Sequence, residues 1–100
     1  MIQGDTISTF ITGFPVPFDQ VKDINIVFHT ITKTLLVKTL RDCMHHNGML
    51  ECKISQEESL RFTCGPVTRS VVVITKDGSR FELPDEELFV EKTSRNEVIT

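Results

Sequence analysis

The chain contains no tryptophan, no tyrosine, no pair of cysteines spaced as CxxC, no cluster or run of Lys and Arg, and no apolar run longer than a few residues. Each absence removes a class of function. Without Trp or Tyr, the amphipathic rings that stack on sugars are missing. The longest apolar stretch, Val71-Val72-Val73-Ile74, falls far short of the roughly 20 residues that span a bilayer as a helix. The opening Met1-Ile2-Gln3-Gly4-Asp5-Thr6 has neither a basic n-region nor an apolar h-region, so no secretory signal is expected there. Gly4, Gly13, Gly48, Gly65 and Gly78 stand apart from one another, which leaves no glycine-rich phosphate loop. With 11 basic against 14 acidic residues and a net charge of −3, dispersed along the chain, no phosphate-tracking face is marked and nucleic acid is not an expected partner. Three cysteines, Cys43, Cys52 and Cys64, are an odd number without metal-ligand spacing, which argues against a disulfide framework or a zinc ribbon. They read as reduced thiols of a protein made in the cytoplasm.

What is present is the composition of one folded domain. One hundred residues, 39% apolar and 25% charged, supply a single core and no cleft between domains. Residues 1–100 therefore read as one unit, with the polar stretch 93–100 as a loose tail.

The period of the apolar residues is two. Ile24, Ile26 and Phe28 alternate with Asn25, Val27 and His29, and Leu50, Cys52 and Ile54 alternate with Glu51, Lys53 and Ser55. Phe81 and Leu83 repeat the pattern against Arg80 and Glu82. The β-branched run Val67–Thr75 carries Val71–Ile74 apolar on both faces, as a central strand covered on each side or buried at an interface does. Lys76-Asp77-Gly78-Ser79 then offers a tight turn, making Val71–Thr75 and Arg80–Leu83 antiparallel neighbours. Thr34–Leu40 pairs with Ile24–Thr30 across a short connection at Ile31-Thr32-Lys33. Thr6–Thr12 forms a strand ended by Gly13-Phe14-Pro15-Val16-Pro17, and Asp85–Lys92 closes the set. Ser55-Gln56-Glu57-Glu58 matches a capping box and predicts one helical turn over 56–61. About seven short strands at this spacing predict an all-β, two-sheet antiparallel sandwich of the immunoglobulin-like kind, with a small barrel as the competing architecture.

Three constellations invite a chemical reading. Cys43-Met44-His45-His46 groups soft metal ligands, yet Asn47-Gly48 makes the same stretch a polar inter-strand loop, and no fourth ligand is evident. A thiol nucleophile on Cys43 or Cys64 with His29, His45 or His46 as base lacks a group to orient the base. Glu57, Glu58, Asp85, Glu86 and Glu87 are paired carboxylates without the spacing or the glycine of a calcium loop, and solvate a helical turn and a strand entry. No catalytic residue, cofactor or metal is expected, and the chain reads as a binding surface. Phe14, Val16 and Phe18, interleaved with prolines, either cap the core or meet a partner, and Phe89 projects from the face opposite Leu88 and Val90. These four are the candidate partner-binding residues. Open strand edges are the second candidate surface.

Gly4–Phe10, Phe14-Pro15-Val16-Pro17-Phe18-Asp19, the strand Ile24–His29, Asp42-Cys43, Leu50–Ser55 running into Ser55–Phe62, and Thr75-Lys76-Asp77-Gly78 together resemble small uncharacterised proteins encoded among the structural genes of tailed phages and prophages of Firmicutes. The resemblance spans most of residues 4–92. It implies a virion component with an immunoglobulin-like or baseplate-upper-protein-like sandwich, assembled in the host cytoplasm, present in several copies, and holding other virion proteins in the capsid, connector or baseplate. It carries no catalytic residues. An adhesion or carbohydrate-binding sandwich is the alternative, against which the missing Trp and Tyr count.

Overall fold

A computed structural model describes residues 6–91 and confirms an all-β chain. The stretch 93–100, expected as a loose tail, lies outside the described residues. Seven strands form two antiparallel sheets: β1 (Ile7–Ile11), β5 (Met49–Ile54) and β4 (Cys43–His46) in the order β1-β5-β4, and β3 (Thr34–Thr39), β2 (Val21–His29), β6 (Gly65–Thr75) and β7 (Arg80–Val90) in the order β3-β2-β6-β7. Strands B-E-D and C′-C-F-G of an immunoglobulin-type sandwich have the same neighbour order.

Alternation places the core as expected. Ile24, Ile26 and Phe28 of β2, Leu50, Cys52 and Ile54 of β5, and Val67, Val71 and Val73 of β6 are all buried between the sheets. Phe28 meets Phe62 across the interior at a ring separation of 5.3 Å. Phe62 arrives there just after α1 (Gln56–Leu60), the expected helical turn. Ser55 caps its start by accepting from the Glu58 N–H at 3.2 Å, while the Glu58 carboxylate accepts from the Ser55 N–H at 3.0 Å. Lys38 of β3 reaches the same carboxylate at 2.7 Å and ties the turn to the four-stranded sheet.

Two boundaries differ from the expectation, and the count of seven survives because they offset. Residues 43–46, read as a polar loop, are strand β4, because the turn at Asn47 (φ 46°) and Gly48 (φ 82°) closes a two-residue hairpin directly onto them. With Cys43 half-buried and Met44, His45 and His46 all exposed, this edge strand leaves no apolar alternation to detect. The two strands expected over 80–83 and 85–92 are one, β7, which runs through Pro84 by slipping its register on β6 between Arg69 and Val71. Phe81 shares the inner side of Val73 but remains 37% exposed, because the opposing sheet has one strand fewer to cover it.

Candidate functional site

Among the described residues the two sheets have four edge strands, β1, β4, β3 and β7. Edges attract other chains unless something blunts them, and the usual means are charge, proline, a bulge or shortness. β7 carries Pro84, the acidic run Asp85-Glu86-Glu87 and the register slip. β4 is four residues long. β3 carries Lys38 and is bulged against β2 at Phe28/His29. β1, with the sequence Ile-Ser-Thr-Phe-Ile, has no charged residue, no proline and no register slip.

Hydrogen-bond parity fixes which main-chain groups β1 presents. Asn47 and Gly48 both have positive φ, so the β4–β5 turn is of the I′ type and His46–Met49 is a hydrogen-bonded pair. Alternation then makes Cys43–Cys52 a non-hydrogen-bonded pair, and Cys52 turns its N–H and C=O the other way, towards Thr9 of β1. Thr9 is consumed by that pairing. Ser8 and Phe10, its neighbours, therefore point their N–H and C=O away from β5. One independent contact agrees: the Phe10 carbonyl accepts from Arg69 Nη1 at 3.2 Å, outside the β1–β5 ladder.

Arg69 is the organising residue of this seam. It lies on β6 in the same phase as Val67, Val71 and Val73, and so enters the core, where it is 9% exposed. Nη1 donates to Thr9 Oγ1 at 2.6 Å and Nη2 pairs with Glu86 of β7 at 2.8 Å, so one guanidinium joins the open edges of both sheets. Its Nε is the one buried side-chain N or O among the described residues that has no partner. Beside it lies a groove of about 370 Å³ with Ile7, Phe28, Ile54 and Leu88 as its apolar wall. Phe10, at the mouth, is 49% exposed. With Glu86 neutralising Arg69, the groove offers apolar area and main-chain groups rather than net charge.

Phe14, Val16 and Phe18 pack half-buried against the core. Phe14 and Phe18 meet edge-to-face at 6.2 Å, and Phe18 stacks on His45 at 3.8 Å. Phe89, 65% exposed, projects from the outer face of β7 opposite Pro66.

The chemical constellations disperse. His45 faces Phe18 and its Nε2 accepts from the Gly48 N–H at 3.1 Å, while His46 turns to the opposite face and lies 3.3 Å from the Glu51 carboxylate. No group of three His, Cys, Asp or Glu side chains able to hold a metal occurs among the described residues. Burial holds the Cys43 thiol above its usual range and, with Cys43 beside it, pushes Cys52 up to about 12, the reverse of what a thiolate nucleophile needs. No helix of the described residues is long and apolar enough to cross a membrane.

The chain matches no known family, no curated protein and no solved structure. Sequence reasoning missed Arg69. Its signal was available, since a charged residue in the core phase of Val67, Val71 and Val73 has to be paired inside.

Proposed function

We propose that the chain is a non-enzymatic interaction domain that receives an extended segment of a neighbouring protein along β1, and that it serves as a multi-copy structural component of a phage virion. The observation that carries the first part is the unprotected β1 edge. Ser8 turns its N–H and C=O, and Phe10 its N–H, away from β5 beside an apolar groove and a half-exposed Phe10, while Arg69 holds the Phe10 carbonyl. An added strand gains main-chain hydrogen bonds for affinity and uses the groove and Phe10 to select its side chains. The virion setting rests on the resemblance of most of residues 4–92 to phage structural proteins, and it makes the partner a capsid, connector or baseplate protein or a second copy of the chain.

Coexpression with the products of the flanking genes, followed by gel filtration with light scattering, tests both parts. A stable complex or a closed oligomer is expected with wild type. Ser8→Pro should abolish it with an unchanged far-ultraviolet spectrum, because the lost N–H points away from the β5 ladder and proline is tolerated at such edge positions. Flanking genes of a metabolic operon, or association that survives Ser8→Pro, would overturn the reading.

A further inference from the structure

Cys43 and Cys52 face each other across the β4–β5 hairpin, and nothing in the docking reading uses them. Their register is direct, and the type I′ turn makes theirs a non-hydrogen-bonded pair, the kind in which opposed Cα atoms stand closest, about 4.5 Å apart. That separation lies at the short end of the range a disulfide spans. Both side chains point inward, and the Cys43 thiol donates to the Thr39 carbonyl at 3.4 Å. Cys52 is fully buried, whereas Cys43, on the edge strand, is half-buried and within reach of a small reagent.

We propose that Cys43 and Cys52 form a reversible cross-strand disulfide that clamps edge strand β4 to β5 when the protein meets a disulfide oxidant such as oxidised glutathione. The Cys43 thiolate attacks one sulfur of the oxidant, forming a mixed disulfide and releasing one glutathione thiolate. Cys52, losing its proton to solvent, then attacks Cys43 Sγ and expels the second glutathione. Two protein thiols and one glutathione disulfide become one protein disulfide and two glutathione thiols, with two electrons passing to glutathione. The exposed Cys64 takes no part. Because burial keeps both thiols protonated at neutral pH, closure is slow there, and its rate rises about tenfold per pH unit while thiolate remains the minor form. The bridge fixes the strand that places His45 on Phe18. The inference concerns β4 and β5 and stands independently of any partner on β1.

The test uses the full chain carrying Cys64→Ser, which removes the exposed thiol and the intermolecular dimers it would form. The folded protein is incubated in graded glutathione redox buffers, quenched by acid and alkylation, and digested with trypsin; residues 42–53, between Arg41 and Lys53, hold both thiols in one peptide. The expected product is that peptide lighter by two hydrogens and refractory to alkylation, restored by dithiothreitol, in protein that keeps its native β spectrum. Cys43→Ser in the same background should leave Cys52 alkylatable after denaturation. A peptide that keeps two free thiols, one that stops at glutathione on Cys43, or a bridge that forms only with loss of the β spectrum would each overturn the proposal.

Discussion

Replacing Arg69 distinguishes its charge from its hydrocarbon stem, and the two substitutions that do so are Arg69→Met and Arg69→Ala. In the native chain the guanidinium gives charge-assisted hydrogen bonds to Thr9 and Phe10 and an ion pair to Glu86. Each such bond contributes about 1.5–3 kcal/mol. Against this stand the desolvation of a buried cation, several kcal/mol, and the unpartnered Nε, about 1–3 kcal/mol. These terms nearly cancel. Glu86 is more than half exposed and returns to water when its partner is lost. What does not cancel is packing: three stem methylenes at about 0.8 kcal/mol each give about 2 kcal/mol, which methionine keeps and alanine forfeits. Arg69→Met should therefore cost under about 1 kcal/mol, and Arg69→Ala about 2 kcal/mol more, or roughly 8–16 °C in Tm for a chain of this size. Urea unfolding followed by far-ultraviolet circular dichroism is the assay, since the chain has no Trp to report by fluorescence. If methionine proves as damaging as alanine, the polar network outweighs its desolvation and the reasoning fails.

The tie between α1 and β3 predicts a pH dependence. Burial pushes the Glu58 carboxyl up, but the hydrogen bonds and charge of Lys38 and the bonds from Ser55 outweigh it and leave the group below the usual carboxylate range. Its contribution, about 0.5–1 kcal/mol, is present at neutral pH and lost as the pH falls through the lowered value. Glu58→Gln should thus lower the urea midpoint at pH 7 and leave the difference from wild type near zero at pH 2; an unchanged difference would count against the pairing. Ser55→Ala, removing the cap, should cost about 1 kcal/mol in thermal or urea unfolding, and a neutral result would mean the helical turn contributes nothing to stability. Gly48→Ala should cost about 1–2 kcal/mol from backbone strain alone, since φ is 82° and no atom lies within 4 Å of the added methyl. A melt that leaves it unchanged would refute the I′ turn on which the strand parity rests.

Much of the fold was legible because period-two burial is written directly into β2, β5 and β6, as Ile24-Ile26-Phe28, Leu50-Cys52-Ile54 and, around Arg69, Val67-Val71-Val73. The capping box at Ser55 and the turn at Asp77-Gly78 were local enough to read from single residues. β4 was not legible, because an edge strand whose outer face meets water and whose inner face holds a cysteine and a stacked histidine has no apolar stripe. The site was less legible than the fold. Phe14, Val16 and Phe18 drew attention as apolar residues among prolines, but whether such a segment covers the core or stands out from it depends on the open end beneath it, which no local pattern records. The seam at β1 depends on topology: only the strand order makes Ile7–Ile11 an edge, and only the parity carried from Asn47-Gly48 through β5 says which of its amides are open.

That parity is also what the central claim rests on. Amide hydrogen exchange by NMR, on a sample shown by light scattering to be monomeric, reads it residue by residue. The account predicts fast exchange at Ser8 and Phe10, whose N–H groups face away from β5, and strong protection at Thr9 and Ile11, which pair with Cys52 and Leu50. Ser8 and Phe10 as protected as Thr9 and Ile11 in the isolated monomer would mean the edge is already covered, and the docking account would be wrong.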